Sequence, residues 1–152
     1  MKGVLLVNLG SPDSPEPEDV KPYLEEFLMD ERVIDVPKWL RTFLVKGIIL
    51  NTRPKRSAKA YKKIWWDEGS PLIVLSERLQ AKVQDKTSVP IALAMRYGKP
   101  SIATGLAALN DQGVDEVLLV PLYPQHAMAT TETIIAVSYT HLPSPRDLRR
   151  SR

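Results

Sequence analysis

Short apolar runs closed by turn residues alternate along the chain with stretches in which apolar residues recur every three or four positions. Residues 4–9, Val4-Leu5-Leu6-Val7-Asn8-Leu9, stop at Gly10-Ser11-Pro12-Asp13, which is the composition of a buried strand followed by a turn. Residues 90–97 and 114–122 repeat that pattern, the former ending at Gly98 and Pro100. Between the first two runs the period changes. Prolines 15 and 17 with Glu16, Glu18 and Asp19 suit a helix start, and Val20, Tyr23, Leu24, Phe27 and Leu28 then follow at helical spacing. After Pro37, Trp39, Leu40, Phe43, Leu44, Gly47 and Ile48 fit one helix face.

Residues 51–57, built around Arg53, Pro54, Lys55 and Arg56, read as a basic loop, and a short helical stretch through Tyr61 to Trp66 ends at Gly69-Ser70-Pro71. Leu72, Leu75, Leu79 and Val83 mark an amphipathic helix. Ser101 is placed to cap a further helix carrying Ile102, Leu106 and Leu109, with Gly113 past its end, and Thr130 or Thr131 opens the last one. Strands that are apolar throughout and separated by helices argue for a parallel sheet covered on both faces, a doubly wound, three-layer α/β fold. Ligands of such sheets bind beyond the carboxyl ends of the strands, which here are residues 8–13, 96–101 and 123–131.

Composition narrows the chemistry. The apolar fraction of 43% and the charged fraction of 26% are those of a globular domain rather than a disordered chain. The formal charge of +3 belongs to residues 138–152, where four arginines face Asp147 alone; the remainder balances seventeen basic against seventeen acidic residues. The body therefore offers no electrostatic case for nucleic acid. With no cysteine, disulfides, thiolate metal sites and cysteine nucleophiles are excluded within the chain. No apolar run approaches the ~18 residues of a membrane span, no secretory leader is evident, and peripheral membrane association is not evident either, so the cytoplasm is the expected compartment.

Gly10 alone does not make a dinucleotide-binding glycine loop, and no phosphate-loop lysine motif or zinc-ligand spacing is present. Gly69-Ser70-Pro71, Tyr61 and Trp65-Trp66 suit either a pocket for a flat aromatic ligand or a turn with ordinary core aromatics. Arg53 belongs either to a solvated run of like charge or to a bidentate pair with a ligand carboxylate. Arg96 ends an apolar strand, where an unpaired charge is expensive, so it needs an internal carboxylate or a ligand. His126 follows the third strand on the presumed ligand side, as a proton acceptor, a metal ligand or a hydrogen-bonded structural residue. His141 lies in the tail.

Taken in order, these residues resemble bacterial ferrochelatases. The resemblance rests on residues 3–13, on Tyr23-Leu24 through Phe27-Leu28, and on Asp30 with Arg32-Val33-Ile34-Asp35. It continues through Arg53-Pro54, Tyr61, Gly69-Ser70-Pro71-Leu72, Met95-Arg96-Tyr97-Gly98 and Pro121-Leu122-Tyr123-Pro124-Gln125. It covers residues 1–137 and implies one chelatase-like domain there, the N-terminal portion of a longer enzyme that inserts Fe²⁺, its metal substrate, into protoporphyrin IX or coproporphyrin III. It also implies porphyrin contacts at Arg53, Tyr61, Ser70 and Leu9, with Arg96 and Tyr97 at a strand end beside the cleft. The family's catalytic histidine and glutamate are expected in a second domain, so no catalytic residue is expected here and His126 is not that histidine. Met128 stands where some relatives carry a cluster-ligating cysteine, so no iron–sulfur cluster is expected. Residues 138–152 depart from the pattern and read as a frameshift or read-through tail, and the alternative role for these residues is that of a non-catalytic porphyrin-binding fragment.

Overall fold

The computed structural model describes residues 1–125 and 127–141. The three apolar runs form one parallel sheet, β1 (Lys2–Asn8), β2 (Ile91–Met95) and β3 (Glu116–Pro121), in the order β2-β1-β3. Val4 pairs with Ile91 and Asn8 with Met95 on one side of β1, and Lys2 with Glu116 and Val7 with Pro121 on the other.

Side chains alternate across the sheet, and both faces are covered over β1 and β2, whereas no residue of β3 is fully buried and Leu118 is 63% exposed. Leu5, Val7, Ala92 and Ala94 pack on one face with Ile102 and Leu109 of α5 (Ile102–Asn110) and Ile134 of α6 (Thr133–His141). Leu6, Leu93 and Met95 pack on the other with Leu72, Ile73 and Val83 of α4 (Pro71–Gln84). This is why β1 and β2 read as continuous apolar runs. Leu5 and Val7 are wholly buried, each contributing about 2–3 kcal/mol by area removed from water. Ser101 caps α5, its hydroxyl accepting from the Thr104 N–H at 3.1 Å.

A second apolar cluster stands at the carboxyl end of the sheet. Val20, Leu24 and Leu28 of α1 (Pro17–Leu28) pack with Val45, Leu50 and Ala58. The last three lie on a helical run composed of α2 (Lys38–Thr42), a π-wound segment (Phe43–Ile49) and α3 (Leu50–Ile64).

Three expectations need correction. Residues 51–57 are not a loop but part of α3, and Pro54 is buried within it. The wide π-wound turn precedes the point where the proline ring would meet the carbonyl four residues back, and the side chains of Asn51 and Thr52 donate to the carbonyls of Gly47 and Ile48 at 2.8 and 3.1 Å. The face of Trp39, Phe43 and Ile48 is exposed, while Arg41 and Val45 are turned inward. On α4, Leu75 and Leu79 are exposed and Val74 and Ser76 are buried. At the other end, α6 runs through Val137 to His141, with Ser138 buried and its hydroxyl donating to the Ile134 carbonyl at 2.8 Å. The rest of the expected tail, residues 142–152, lies outside the described residues.

Candidate functional site

The loops leaving β1 and β2 cross at the carboxyl end of the sheet. The Arg96 N–H donates to the Asn8 carbonyl at 2.8 Å and the Tyr97 N–H to the Leu9 carbonyl at 2.9 Å, so the strand pairing runs on past both strand ends. Gly10 makes this crossing possible. Its φ is +111°, and a Cβ there would stand 1.7 Å from the Tyr97 carbonyl oxygen. Asn8 holds the neighbouring turn: its Oδ1 accepts from the Leu9 N–H at 2.8 Å and its Nδ2 donates to Ser76 Oγ at 3.0 Å. Leu9 is thereby fixed, half-buried, at the mouth of the crossing.

Arg96 is spent inside the protein. Its Nη2 donates to Asp30 Oδ2 at 2.6 Å, its Nε donates to Thr133 Oγ1 at 2.7 Å, and its guanidinium lies 4.4 Å from the centre of the Tyr97 ring. Asp30 Oδ2 accepts also from the Tyr97 hydroxyl at 2.8 Å and the Thr133 hydroxyl at 2.7 Å, while its Oδ1 accepts from the Arg32 N–H at 2.9 Å. One carboxylate thus ties the end of α1, the end of β2 and the first residue of α6. Its side chain is 4% exposed. Burial alone would raise the Asp30 pKa, but the bonds from Thr133, Arg32 and Tyr97 and the Arg96 charge outweigh it and hold the carboxyl below its ordinary value.

An unbroken series of aromatic contacts leads from this hub to α3. Tyr97 meets Phe27 edge-on with centroids 5.1 Å apart, and Tyr23 lies 6.5 Å from Phe27 and 6.4 Å from Tyr61, which meets Trp65 at 6.2 Å. The Tyr23 hydroxyl donates to the Gly10 carbonyl at 3.2 Å, returning the series to the crossing. Burial pushes the phenols of Tyr23, Tyr61 and Tyr97 upward, and for Tyr97 the bond to Asp30 adds to the effect. Tyr123 is pushed up to about 12, chiefly by burial, and its buried hydroxyl has no partner among the described residues.

The expected site residues are therefore unequally gathered. Leu9, Arg96 and Tyr97 adjoin one another, and Tyr61 joins them through Tyr23. Ser70 is buried at the start of α4, with its carbonyl accepting the Val74 N–H at 3.0 Å. The turn before it is held by Trp66–Gly69 pairing and by Arg78, whose Nη2 donates to Glu68 at 2.7 Å and whose guanidinium lies 5.8 Å from the Trp66 ring. Arg53 stands apart on the exposed side of α3, beside a groove of about 690 Å³ that Thr52, Arg56 and Ser57 also line. No ion pair engages it among the described residues. His126 lies outside the described residues. Sequence reasoning missed Asp30 and Thr133 as members of the site; the demand of Arg96 for a carboxylate was the available signal, but nothing local identified which one.

Comparison with known proteins decides the family. The ferrochelatase family model matches residues 1–150. The chain belongs to the ferrochelatase family. It is 58% identical over 133 residues to the ferrochelatase of Ectopseudomonas mendocina and 56% over 133 residues to that of Pseudomonas syringae pv. tomato, each match covering 87% of this chain and 39% of the relative. It is 48% identical over 133 residues to the ferrochelatase of Vibrio atlanticus, covering 88% of this chain and 42% of the relative. The chain therefore spans about two-fifths of the length of these relatives. The parallel α/β sheet is the architecture expected of a chelatase-like domain, and among the described residues no helix is long and apolar enough to cross a membrane.

Proposed function

We propose that these residues form the porphyrin-holding wall of an enzyme that inserts Fe²⁺ into a porphyrin. The observation that carries the reading is membership of the ferrochelatase family over nearly the whole chain. Insertion replaces two pyrrole N–H protons with a divalent ion, and a flat macrocycle hides the nitrogen lone pairs, so a protein must hold and bend the ring while protons leave. In this reading Leu9 and Tyr61 lie against the macrocycle, Ser70 lines the cleft wall, and Arg53 pairs with a propionate. Tyr97 and Arg96 act at one remove: Arg96 ion-paired and Tyr97 hydrogen-bonded to Asp30, they brace the loop that carries Leu9.

The proton-accepting work is assigned to groups other than these. Asp30 is held ionised by four donors and is a poor base, and the raised phenols are poor acids. That favours binding without turnover for these residues by themselves, and the histidine and glutamate implied by the resemblance fall at none of the positions named.

Porphyrin titration followed by fluorescence quenching tests the binding reading. Saturable binding that weakens about tenfold in Arg53→Gln supports it, an effect of the size of one charge-assisted hydrogen bond. The enzymatic reading is tested on the gene product of family length: porphyrin and Fe²⁺ left unchanged, while a control ferrochelatase converts them, would refute it.

A further inference from the structure

Arg41 of α2 is the one arginine of the described residues that is more than nine-tenths buried, being 7% exposed. No carboxylate of the described residues lies within ion-pairing distance of it. Its Nη1 donates to the backbone carbonyls of Ile34 and Val36 at 3.2 and 3.3 Å, and its Nε is shut from solvent with no acceptor among the described residues. A buried cation is costly unless an anion compensates it, and two neutral carbonyls at long distances compensate poorly.

Arg41 also lines an open cavity of about 740 Å³ between the loop after α1 and the π-wound turn before α6 (Met128–Glu132). Arg32 and Lys38 line it with Arg41, facing Glu31, Asp35 and Glu132. Glu31 is taken up by Arg32 at 3.9 Å. The cavity wall is formally neutral, so it does not gather anions by its field. What it offers is short-range: a guanidinium whose Nη1 is spent on carbonyls and whose Nη2 makes no hydrogen bond among the described residues, flanked by a lysine.

We propose that this cavity binds an oxyanion, a carboxylate or phosphate group, through Arg41. The site is separate from the Leu9–Tyr97 crossing and does not rest on the porphyrin reading. The group recognised belongs either to a free inorganic ion or to a carboxylate-bearing organic molecule, and the probes distinguish the two.

The test is a thermal-melt series of the chain in inorganic phosphate, in acetate and in chloride, at matched ionic strength. At about ten times the dissociation constant, linkage raises the midpoint by roughly 5 °C in the binding anion. Arg41→Met, which keeps the apolar stem and drops the charge, loses that rise, whereas Lys82→Gln on the exposed side of α4 keeps it. A rise in phosphate only assigns the inorganic ion, and a rise in acetate as well assigns the carboxylate class. The Nε–Hε resonance of Arg41 gives a readout that does not depend on the melt, and it shifts saturably with the binding anion. An equal rise in Arg41→Met, or a wild-type resonance that stays put in both anions, overturns the proposal.

Discussion

Asp30→Ala is expected to be the most damaging single polar substitution in the described chain. It removes the acceptor of the Arg96 guanidinium, the Tyr97 hydroxyl and the Thr133 hydroxyl together, at a position 4% exposed and opposite an arginine 13% exposed. Breaking a buried pair from one side leaves an uncompensated charge and costs about 3–5 kcal/mol. With a urea slope of roughly 2 kcal/mol/M for a domain of this size, the unfolding midpoint falls by roughly 2 M. The partner variant separates the pair from its surroundings. Arg96→Met in the Asp30→Ala background removes the stranded cation, so the double variant is more stable than Asp30→Ala alone, with a coupling of about 2 kcal/mol or more. Proton linkage gives an independent sign. The Asp30 pKa is lowered in the folded state, so its contribution is fully present above the unfolded value of ~3.9 and is lost as the pH falls below that through the folded value. Asp30→Asn lacks this acid-side component. A midpoint shift under roughly 0.5 M for Asp30→Ala, below 1 kcal/mol on the same slope, together with additive single variants, would refute the hub.

Gly10→Ala places a Cβ 1.7 Å from the Tyr97 carbonyl in a left-handed backbone and is expected to cost about 3 kcal/mol or more, measured by the same urea midpoint. Tyr123→Phe removes a buried hydroxyl without a partner, so stability stays level or rises by about 1 kcal/mol; a clear loss would mean that the hydroxyl is satisfied in solution. Leu5→Ala, in the middle of the sheet, costs about 3 kcal/mol by transfer and cavity terms together, whereas Leu75→Ala, exposed on α4, stays within about 0.5 kcal/mol.

The sheet was legible in the sequence because residues 4–9, 90–97 and 114–122 are apolar runs that each overlap an observed strand; β1 and β2 are apolar because both faces are buried, while β3 keeps the same composition with Leu118 exposed. The start of α5 was legible for an equally local reason, a serine whose hydroxyl reaches the N–H three residues on. Residues 51–57 misled because a proline among cations has the composition of a loop. The helix persists there through a π-wound turn upstream, which no period of 3.6 reveals. Trp39, Phe43, Leu75 and Leu79 misled in the opposite sense, since apolar spacing marks a face and burial depends on what meets it. Of the site, Arg96 was legible as a charge in need of a partner. The partner, 66 residues earlier, was not, because ion pairing between distant segments leaves no periodic trace.

Identifying that partner changes how the charges at the site divide. A ligand bearing carboxylates would find Arg96 already neutralised at 2.6 Å and 13% exposed, and drawing it away would strand Asp30 at the cost of a broken buried pair. Arg53, exposed and without an ion pair among the described residues, has no such cost to meet. In the proposed reading the two arginines therefore do different jobs. Arg96 is held still, and through Tyr97 and the Leu9 carbonyl it holds the crossing of the two loops still. Arg53, exposed and in no ion pair among the described residues, is the one proposed to meet a ligand carboxylate. In the proposed reading, contact with the ring falls to Leu9 and to Tyr61, whose position reaches back through Tyr23, Phe27 and Tyr97 to the same carboxylate. Loosening Asp30 should therefore weaken porphyrin binding through the wall's geometry, while altering Arg53 should weaken it through charge. The two losses separate by salt: the Arg53 contribution, being solvent-exposed, fades as the Debye length shortens from ~10 Å at 0.1 M to ~3 Å at 1 M, and the Asp30 contribution does not.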